Sequence, residues 1–408
     1  MINIIEKIFA IIGLVFFSGG FSQLLPGTPI TLLRYFVWGI ATVLVCLRWK
    51  DGLRTVTKDI PLLILTAIIL LSFLWSDILV STFKDSREIM QMTSFGWYFA
   101  SRFKLKEQIQ LLAAALYIGI ILSFITGFVA PVIAIHQGDH PGAWKGVFGY
   151  KNILGSIMII SSFTFFLLPI NRYNFLHQLY KWSGLSLSIV LVLLSTSKTS
   201  LVVSILLFLI LFFYRNFRWQ GKATVIFLDL AILVLGTVGA IVIGSWTELL
   251  TALGRDPSLT GRTPMWGVAL TRLMERPLLG FGRGAFWAPG SPYALEAGLA
   301  VAPGFIPPHG HNGFIDLLLD VGFIGFALFT VSYFIAYFRA LKYAYATYEV
   351  EHLWYLAFLI FLLMNNMTES FLLFKTNIYW TLYISTALSL GQEMFQPLAK
   401  PSINEIVG

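Results

Sequence analysis

Ile60-Pro-Leu-Leu-Ile-Leu-Thr-Ala-Ile-Ile-Leu-Leu-Ser-Phe-Leu-Trp75 contains no charged side chain, while Lys58 and Asp59 precede it and Asp77 follows. Crossing a bilayer as a helix takes about 20 predominantly apolar residues. Working outward, further apolar runs lie near 8–21, 28–48, 88–101, 108–135, 152–170, 182–196, 199–214, 223–244, 311–338, 352–367 and 371–390. The run at 88–101 is the weakest, because it is short and holds Gln91, Thr93 and Ser94. Only Ser195-Thr-Ser-Lys-Thr-Ser200 separates the seventh run from the eighth. Composition agrees with lipid as the solvent. Of 408 residues, 57% are hydrophobic and 12% charged, against about 25% charged in soluble domains. The expected fold is all-α: a polytopic membrane protein of about 12 transmembrane helices, a single membrane domain over 1–408.

Positive charge tests that count, since cytoplasmic loops concentrate Lys and Arg. With the N-terminus inside, alternate loops hold Arg48, Lys50, Arg54 and Lys58; Arg102, Lys104 and Lys106; Arg172 and Lys181; Arg215, Arg218 and Lys222; Arg339 and Lys342. The other loops are poor in Lys, with Lys84, Lys145 and Lys198 as exceptions. The alternation holds only if the weak fourth helix and the 195–200 break are both real. Both termini are then cytoplasmic. Most of the net charge of +8 orients helices, which removes the argument for nucleic acid. The first run reads as an anchor rather than a cleaved signal peptide, because only Lys7 precedes it closely and no small-x-small site follows. Cys46, the single cysteine, leaves no disulfide framework and no cysteine metal site.

The longest loop, 245–310, faces outward on this topology, and long loops tend to be functional. Thr263-Pro-Met-Trp-Gly-Val-Ala-Leu-Thr-Arg-Leu-Met-Glu-Arg276 reads as a short helix within it, with Thr263 as N-cap and Pro264 at the first helical position. The loop carries Arg255, Arg262, Arg272, Arg276 and Arg283 and no lysine. Topology does not require positive charge there, and arginine suits bidentate capture of phosphate. Arg262 also precedes a helix N-terminus, where free N–H groups favour an anion, and Arg255 lies seven residues earlier. The functional reading is a diphosphate site at the outer surface. The bland one is contact with headgroups, or pairing with Glu248, Asp256 and Glu275; it leads for Arg272, Arg276 and Arg283.

Pro308-His309-Gly310-His311-Asn312-Gly313 lies where the loop re-enters the membrane. A histidine there can take a proton from a hydroxyl near neutral pH, or merely cap the helix. No nearby ligand set supports a metal, and no cofactor is expected. Asp316 and Asp320 share a face of the tenth helix, and pairing with a Lys or Arg is the favoured role. Gly322 and Gly325 permit close helix packing. Lys151 and Asn152 open the sixth helix and Lys198 lies in the 195–200 turn, so they add polar and positive groups at the same face. Arg34 is placed to snorkel. Trp144, Trp246, Trp266 and Trp287 read as interface-belt residues rather than a sugar platform. The sequon Asn366-Met-Thr368 is discounted as part of a very short turn.

The stretch His311-Asn-Gly-Phe-Ile-Asp-Leu-Leu-Leu-Asp-Val-Gly322-Phe-Ile-Gly325 resembles the signature of the bacterial O-antigen ligase and polysaccharide polymerase superfamily. Thr260-Gly-Arg262-Thr-Pro-Met-Trp266 and Glu275-Arg-Pro-Leu-Leu-Gly280-Phe-Gly282 are similar to the same family. So is Val147-Phe-Gly-Tyr150-Lys151-Asn152-Ile-Leu-Gly155, which is like the exopolysaccharide polymerase branch. The resemblance implies a metal-independent, inverting multi-span membrane glycosyltransferase in the bacterial inner membrane, with a periplasmic active site. Its donor would be an oligosaccharide on undecaprenyl diphosphate and its acceptor a glycan or lipid hydroxyl. Chain-length regulator and flippase proteins are further partners. Carried over, His311 is catalytic and Arg262 binds diphosphate, with Arg255, Lys198, Lys151 and Asn152 as further substrate-binding candidates. The family often has arginine where Lys198 stands; lysine keeps the charge and loses the fork. A polymerase is favoured over a ligase to lipid A core. A transporter or flippase is the alternative of another class, which would favour broken helices, internal repeats and a midplane site.

Overall fold

The computed structural model describes residues 2–217, 231 and 262–393, apart from 26, 139, 172, 346–348, 375 and 376. The ninth apolar run at 223–244 and Arg255 lie outside the described residues. The regular elements described are helices: α1 (Ile2–Phe17), α2 (Thr28–Leu47), α3 (Trp49–Val56), α4 (Ile60–Leu71), α5 (Leu79–Arg102), α6 (Leu105–Val129), α7 (Pro131–Ala134), α8 (Lys151–Phe166), α9 (Phe175–Leu194) and α10 (Lys198–Phe217). After the undescribed segment come α11 (Arg262–Leu273), α12 (Pro292–Leu299), α13 (Gly313–Ala344), α14 (Leu353–Asn366) and α15 (Ile378–Glu393). The extended pairing among the described residues is an isolated bridge between Ile135 and Trp144.

Among the described residues, four helices are long and apolar enough to cross a membrane: Thr28–Leu47, Leu105–Val129, Lys198–Asn216 and Gly313–Ala344. A fifth span results if α3 and the segment Ile60–Leu74, bent by 100° at their junction, are taken together. These helices carry exposed apolar faces, such as Leu32, Phe36 and Val43 on α2 and Val202, Ile205 and Phe212 on α10. Exposed apolar area of that extent needs lipid or another apolar cover. The chain is a multi-pass membrane protein.

The weak fourth run proves to be α5, 24 residues long. Its low hydropathy has a physical cause. Asp85, Ser86, Glu88 and Gln91 are buried against other helices rather than facing lipid. Glu88 takes an ion pair of 2.7 Å from Arg34, so Arg34 is paired rather than snorkelling. Ser86 donates to the Ile69 carbonyl at 3.0 Å. Gly96 lets α5 approach α15 so closely that a Cβ there would stand 2.7 Å from the Thr381 carbonyl oxygen. The 195–200 break is present too. Helix α9 stops at Leu194, Thr196 turns the chain with φ +50°, and α10 starts at Lys198.

Three boundaries depart from expectation. Helix α11 is described from Arg262, so Thr263 lies inside it rather than at its N-cap. Helix α15 begins at 378, because Asn377 Oδ1 accepts from the Tyr379 and Trp380 amides at 2.9 and 3.3 Å. Residues 367–374 are therefore a loop rather than the start of a helix. Helix α13 is broken at Gly322 (φ +63°, ψ −168°). The segment 277–282 inserts at the break. Phe281 and Gly282 donate to the Leu319 and Asp320 carbonyls at 2.7 and 3.0 Å, while Phe323 and Ile324 donate to the Pro277 and Leu278 carbonyls at 2.8 and 3.2 Å. Non-helical backbone at membrane depth is tolerated where protein satisfies its polar groups, as here. A Cβ at Gly322 would lie 2.3 Å from Leu278 backbone atoms, and one at Gly280 would lie 2.5 Å from the Leu319 carbonyl oxygen. Gly322 thus admits an inserted strand of chain rather than a neighbouring helix.

Candidate active site

The loop Met367–Phe374 is the hub. Three separated segments bond to its first turn. Arg262, first described residue of α11, donates to the Thr368 carbonyl at 2.9 Å. Asn152, second residue of α8, donates through Nδ2 to Glu369 Oε1 at 2.7 Å. Gly313, first residue of α13, donates its amide to the Glu369 carbonyl at 3.1 Å, and Asn312 donates its amide to Ser370 Oγ at 3.1 Å. Gly313 has to be glycine for this approach, since a Cβ would stand 2.3 Å from Asn366 Oδ1. Helix α10 joins through α8: a Cβ at Gly155 would meet Ser200 Oγ at 2.4 Å, so the 195–200 turn lies against the first turns of α8. Lys198 and Lys151 are close enough to repel, and Glu369 attracts Lys151. The N-termini of α8, α10 and α13 therefore gather here beside the described start of α11, and each presents the positive end of its dipole.

His311 stands immediately before the N-cap of α13. Asn312 Oδ1 accepts from the Phe314 and Ile315 amides at 3.0 and 3.2 Å, so Asn312, not His311, is the capping side chain. His311 adopts φ +52°, a left-handed conformation uncommon for a residue with a Cβ. Its amide donates to His309 Nδ1 at 3.2 Å, and the two rings lie 4.2 Å apart between centroids. His311 Nδ1 is buried without a hydrogen-bond partner among the described residues and faces Glu369 Oε2 at 4.0 Å. His309 is held neutral: burial first, then the nearby His311 and Arg262 charges, push its pKa down to about 3. Because its Nδ1 accepts the His311 amide, the proton of neutral His309 belongs on Nε2. The turn is braced by Trp266 Nε1 donating to the Gly310 carbonyl at 2.6 Å, and by Asp316 Oδ1 accepting from the Gly310 amide and Trp287 Nε1, both at 2.9 Å. Trp266 and Trp287 are thus structural braces of the site rather than interface-belt residues.

The remaining described arginines of the loop are committed elsewhere. Arg272 pairs with Glu275 and Glu296, Arg276 with Asp77 at 2.8 Å, and buried Arg283 with Asp320 at 2.8 Å. None of Lys151, Lys198 and Arg262 forms a direct ion pair among the described residues. The structure thus brings five of the six sequence-derived candidates, His311, Arg262, Lys198, Lys151 and Asn152, around one loop. The sixth, Arg255, is outside the described residues. It adds Glu369, which sequence reasoning missed. The signal was present: Glu369 is the only acidic residue between Glu351 and Glu393, and an ionisable group isolated in apolar sequence is a functional candidate by default.

Residues 183–330 match the family model described as O-antigen ligase. Over those residues the chain is similar to an O-antigen ligase domain. The match runs from α9 past the Gly322 break, so it includes Lys198, Arg262 and His311, while Lys151, Asn152 and Glu369 lie outside it. A second match is 34% identical over 122 residues to the exopolysaccharide production protein ExoQ of Rhizobium meliloti (strain 1021). It covers 28% of this chain and 27% of that protein, so the alignment spans about a quarter of the relative's length. Both matches bear out the ligase and polymerase superfamily that the motifs indicate.

Proposed function

We propose that this protein is a polysaccharide polymerase of the O-antigen ligase superfamily. It transfers a glycan from undecaprenyl diphosphate to the hydroxyl of an acceptor glycan on the periplasmic side of the bacterial inner membrane. The observation that carries the reading is the gathering of Lys151, Lys198 and Arg262 around the His311–Glu369 pair, at converging helix N-termini. The likeness to an exopolysaccharide production protein favours polymerisation over attachment to lipid A core. The alternating Lys and Arg of the loops supports twelve spans in one membrane domain, both termini inside, with 245–310 as a periplasmic loop.

The chemistry follows from that placement. The acceptor oxygen attacks the anomeric carbon while the bond from that carbon to the diphosphate oxygen breaks. The leaving group departs with the electron pair, and the configuration inverts. Diphosphate needs its developing charge stabilised rather than a proton supplied, and fixed cations do this in a water-poor site. Lys151, Lys198, Arg262 and the helix N-termini serve that step without a metal. The acceptor proton passes to His311. Glu369, 4.0 Å from Nδ1, orients the imidazole. Asn152 fixes Glu369 in turn.

A deletion strain tests this. Loss of polymerisation leaves single repeat units on the carrier lipid. Full-length lipid-linked chains that never reach lipid A would instead mark a lost ligase, and unchanged glycans would refute both assignments.

A further inference from the structure

Beside His309 a small cavity opens. It is lined by Asp85, Arg283, Trp287, Asp316, Ser81 and Ser370, among others. Its volume is about 70 Å³, room for a handful of waters at roughly 10–15 Å³ each. That suits the hydroxylated edge of one sugar ring, not a diphosphate or a long chain. Its lining differs in charge from the cationic residues of the site. Here three carboxyl groups, Asp85, Asp316 and Asp320, face one guanidinium, Arg283. The cations Lys151, Lys198 and Arg262 are not among its lining residues. A phosphate is therefore repelled from this cavity, whereas a neutral or amine-bearing sugar finds acceptors for its hydroxyl hydrogens.

The cavity is also built. Trp287 is 9% exposed, and its indole N–H is held by Asp316, so the ring is fixed in the wall as an apolar surface for sugar C–H groups. Arg283 is 8% exposed. Two of its nitrogens are committed, to Asp320 and to the Leu373 carbonyl, while Nε has no partner among the described residues. A buried donor left without a partner costs about 1–3 kcal/mol, and a sugar hydroxyl would satisfy it. Ser81 stands on α5 and Ser370 on the hub loop, so the cavity spans the same loop that carries Glu369.

We infer that this cavity is the acceptor subsite, holding the terminal neutral or amino sugar of the incoming glycan with its hydroxyl toward the His309–His311 pair. The inference rests on the transferase reading and names where the acceptor sits: the acceptor sugar takes the aspartate-lined cavity, and the donor diphosphate the basic residues outside it.

The test uses the full-length protein in detergent, with Arg262→Ala as the transfer-dead parent. The probe is the repeat-unit oligosaccharide released by mild acid from the host's own lipid-linked intermediate, and its affinity is measured by calorimetry. Asp85→Asn removes a carboxylate acceptor, and Ser81→Phe fills the cavity from its rim without altering charge. Each is expected to weaken binding at least ten-fold, while Lys198→Ala leaves it within two-fold. Thermal stability of each variant is read alongside, so that Ser81→Phe decides the matter if Asp85→Asn folds poorly. Variants that bind like the parent, or a parent that does not bind at all, overturn the subsite. Wild-type protein that binds the oligosaccharide through this cavity yet never transfers glycan would sink the transferase reading and leave the subsite standing.

Discussion

His311 holds φ at +52°, a conformation costing roughly 1–3 kcal/mol for a residue with a Cβ and one that persists where the surroundings over-determine it. Here three successive amides are pinned, to His309, Ser370 and Glu369. Replacing His311 with alanine is expected to abolish polymer formation while the protein still accumulates, scored by immunoblot and glycan gel. Arg262→Lys is the finer probe. It keeps the charge and loses the fork, so it should retain a few per cent of wild-type rate, against none detectable for Arg262→Ala. Glu369→Gln should reduce turnover by roughly 10–100-fold, the range for partners that orient a working histidine. His309 gives a pH prediction. Its folded pKa of about 3 lies below the ordinary histidine value of 6.5, so the unfolded chain binds the extra proton between those values. The stability from burying it neutral is present above pH 6.5 and lost as pH falls toward 3. A His309→Asn variant should lose melting temperature less steeply than wild type between pH 6.5 and 4. The cations and His311 were legible in the sequence because topology gave them no other task. Glu369 was not, because the apolar sequence after it reads as helix and the amide cap at Asn377 that delays α15 has no strong signature.

Helix α13 reads from its hydropathy as one uninterrupted span, and its ends are legible from Asn312 and from the Lys342 side. The break at Gly322 is not, because glycine inside an apolar run is equally a packing residue. Only the backbone of 277–282 entering the gap decides the matter. It also explains why the Gly280-Phe-Gly282 and Gly322 motifs accompany each other: they are two halves of one interlock. An alanine at Gly322 combines a left-handed cost of about 1–2 kcal/mol with overpacking of roughly 1–3 kcal/mol. It should lower the melting temperature in detergent and the steady-state level. Gly267→Ala, with nothing near its added Cβ, should leave both unchanged. The interlock is closed by Arg283 and Asp320, both buried. Removing one charge of a buried pair typically costs about 3–5 kcal/mol, so Asp320→Asn should be as damaging as the glycine change. The pairing of Asp320 with an arginine followed from the expense of a bare carboxylate in a span; that the arginine comes from the inserted loop did not.

At the scale of the molecule, the alternation of positive charge and the apolar runs anticipated α5, whose buried polar face hides it from hydropathy, though it starts at Leu79 rather than 88, while α3 (Trp49–Val56) lies in a stretch read as a cytoplasmic loop. Cysteine labelling tests the orientation. In a Cys46→Ser background, Tyr173→Cys, at a fully exposed side chain, should react with an impermeant maleimide only after the inner membrane is opened. Leu299→Cys, exposed on α12, should react once the outer membrane alone is permeable. The reverse pattern would invert the topology. Because cations rather than a metal face the leaving group, transfer should persist in excess chelator.

The most direct measurement is cell-free. Purified protein is mixed with undecaprenyl-diphosphate-linked repeat units extracted from cells lacking the gene. Glycans of two or more units should appear together with free undecaprenyl diphosphate in equal yield from wild type, and neither should appear from His311→Ala. Repeat units that wild-type protein leaves intact, or that the alanine variant joins as well as wild type does, would contradict the account.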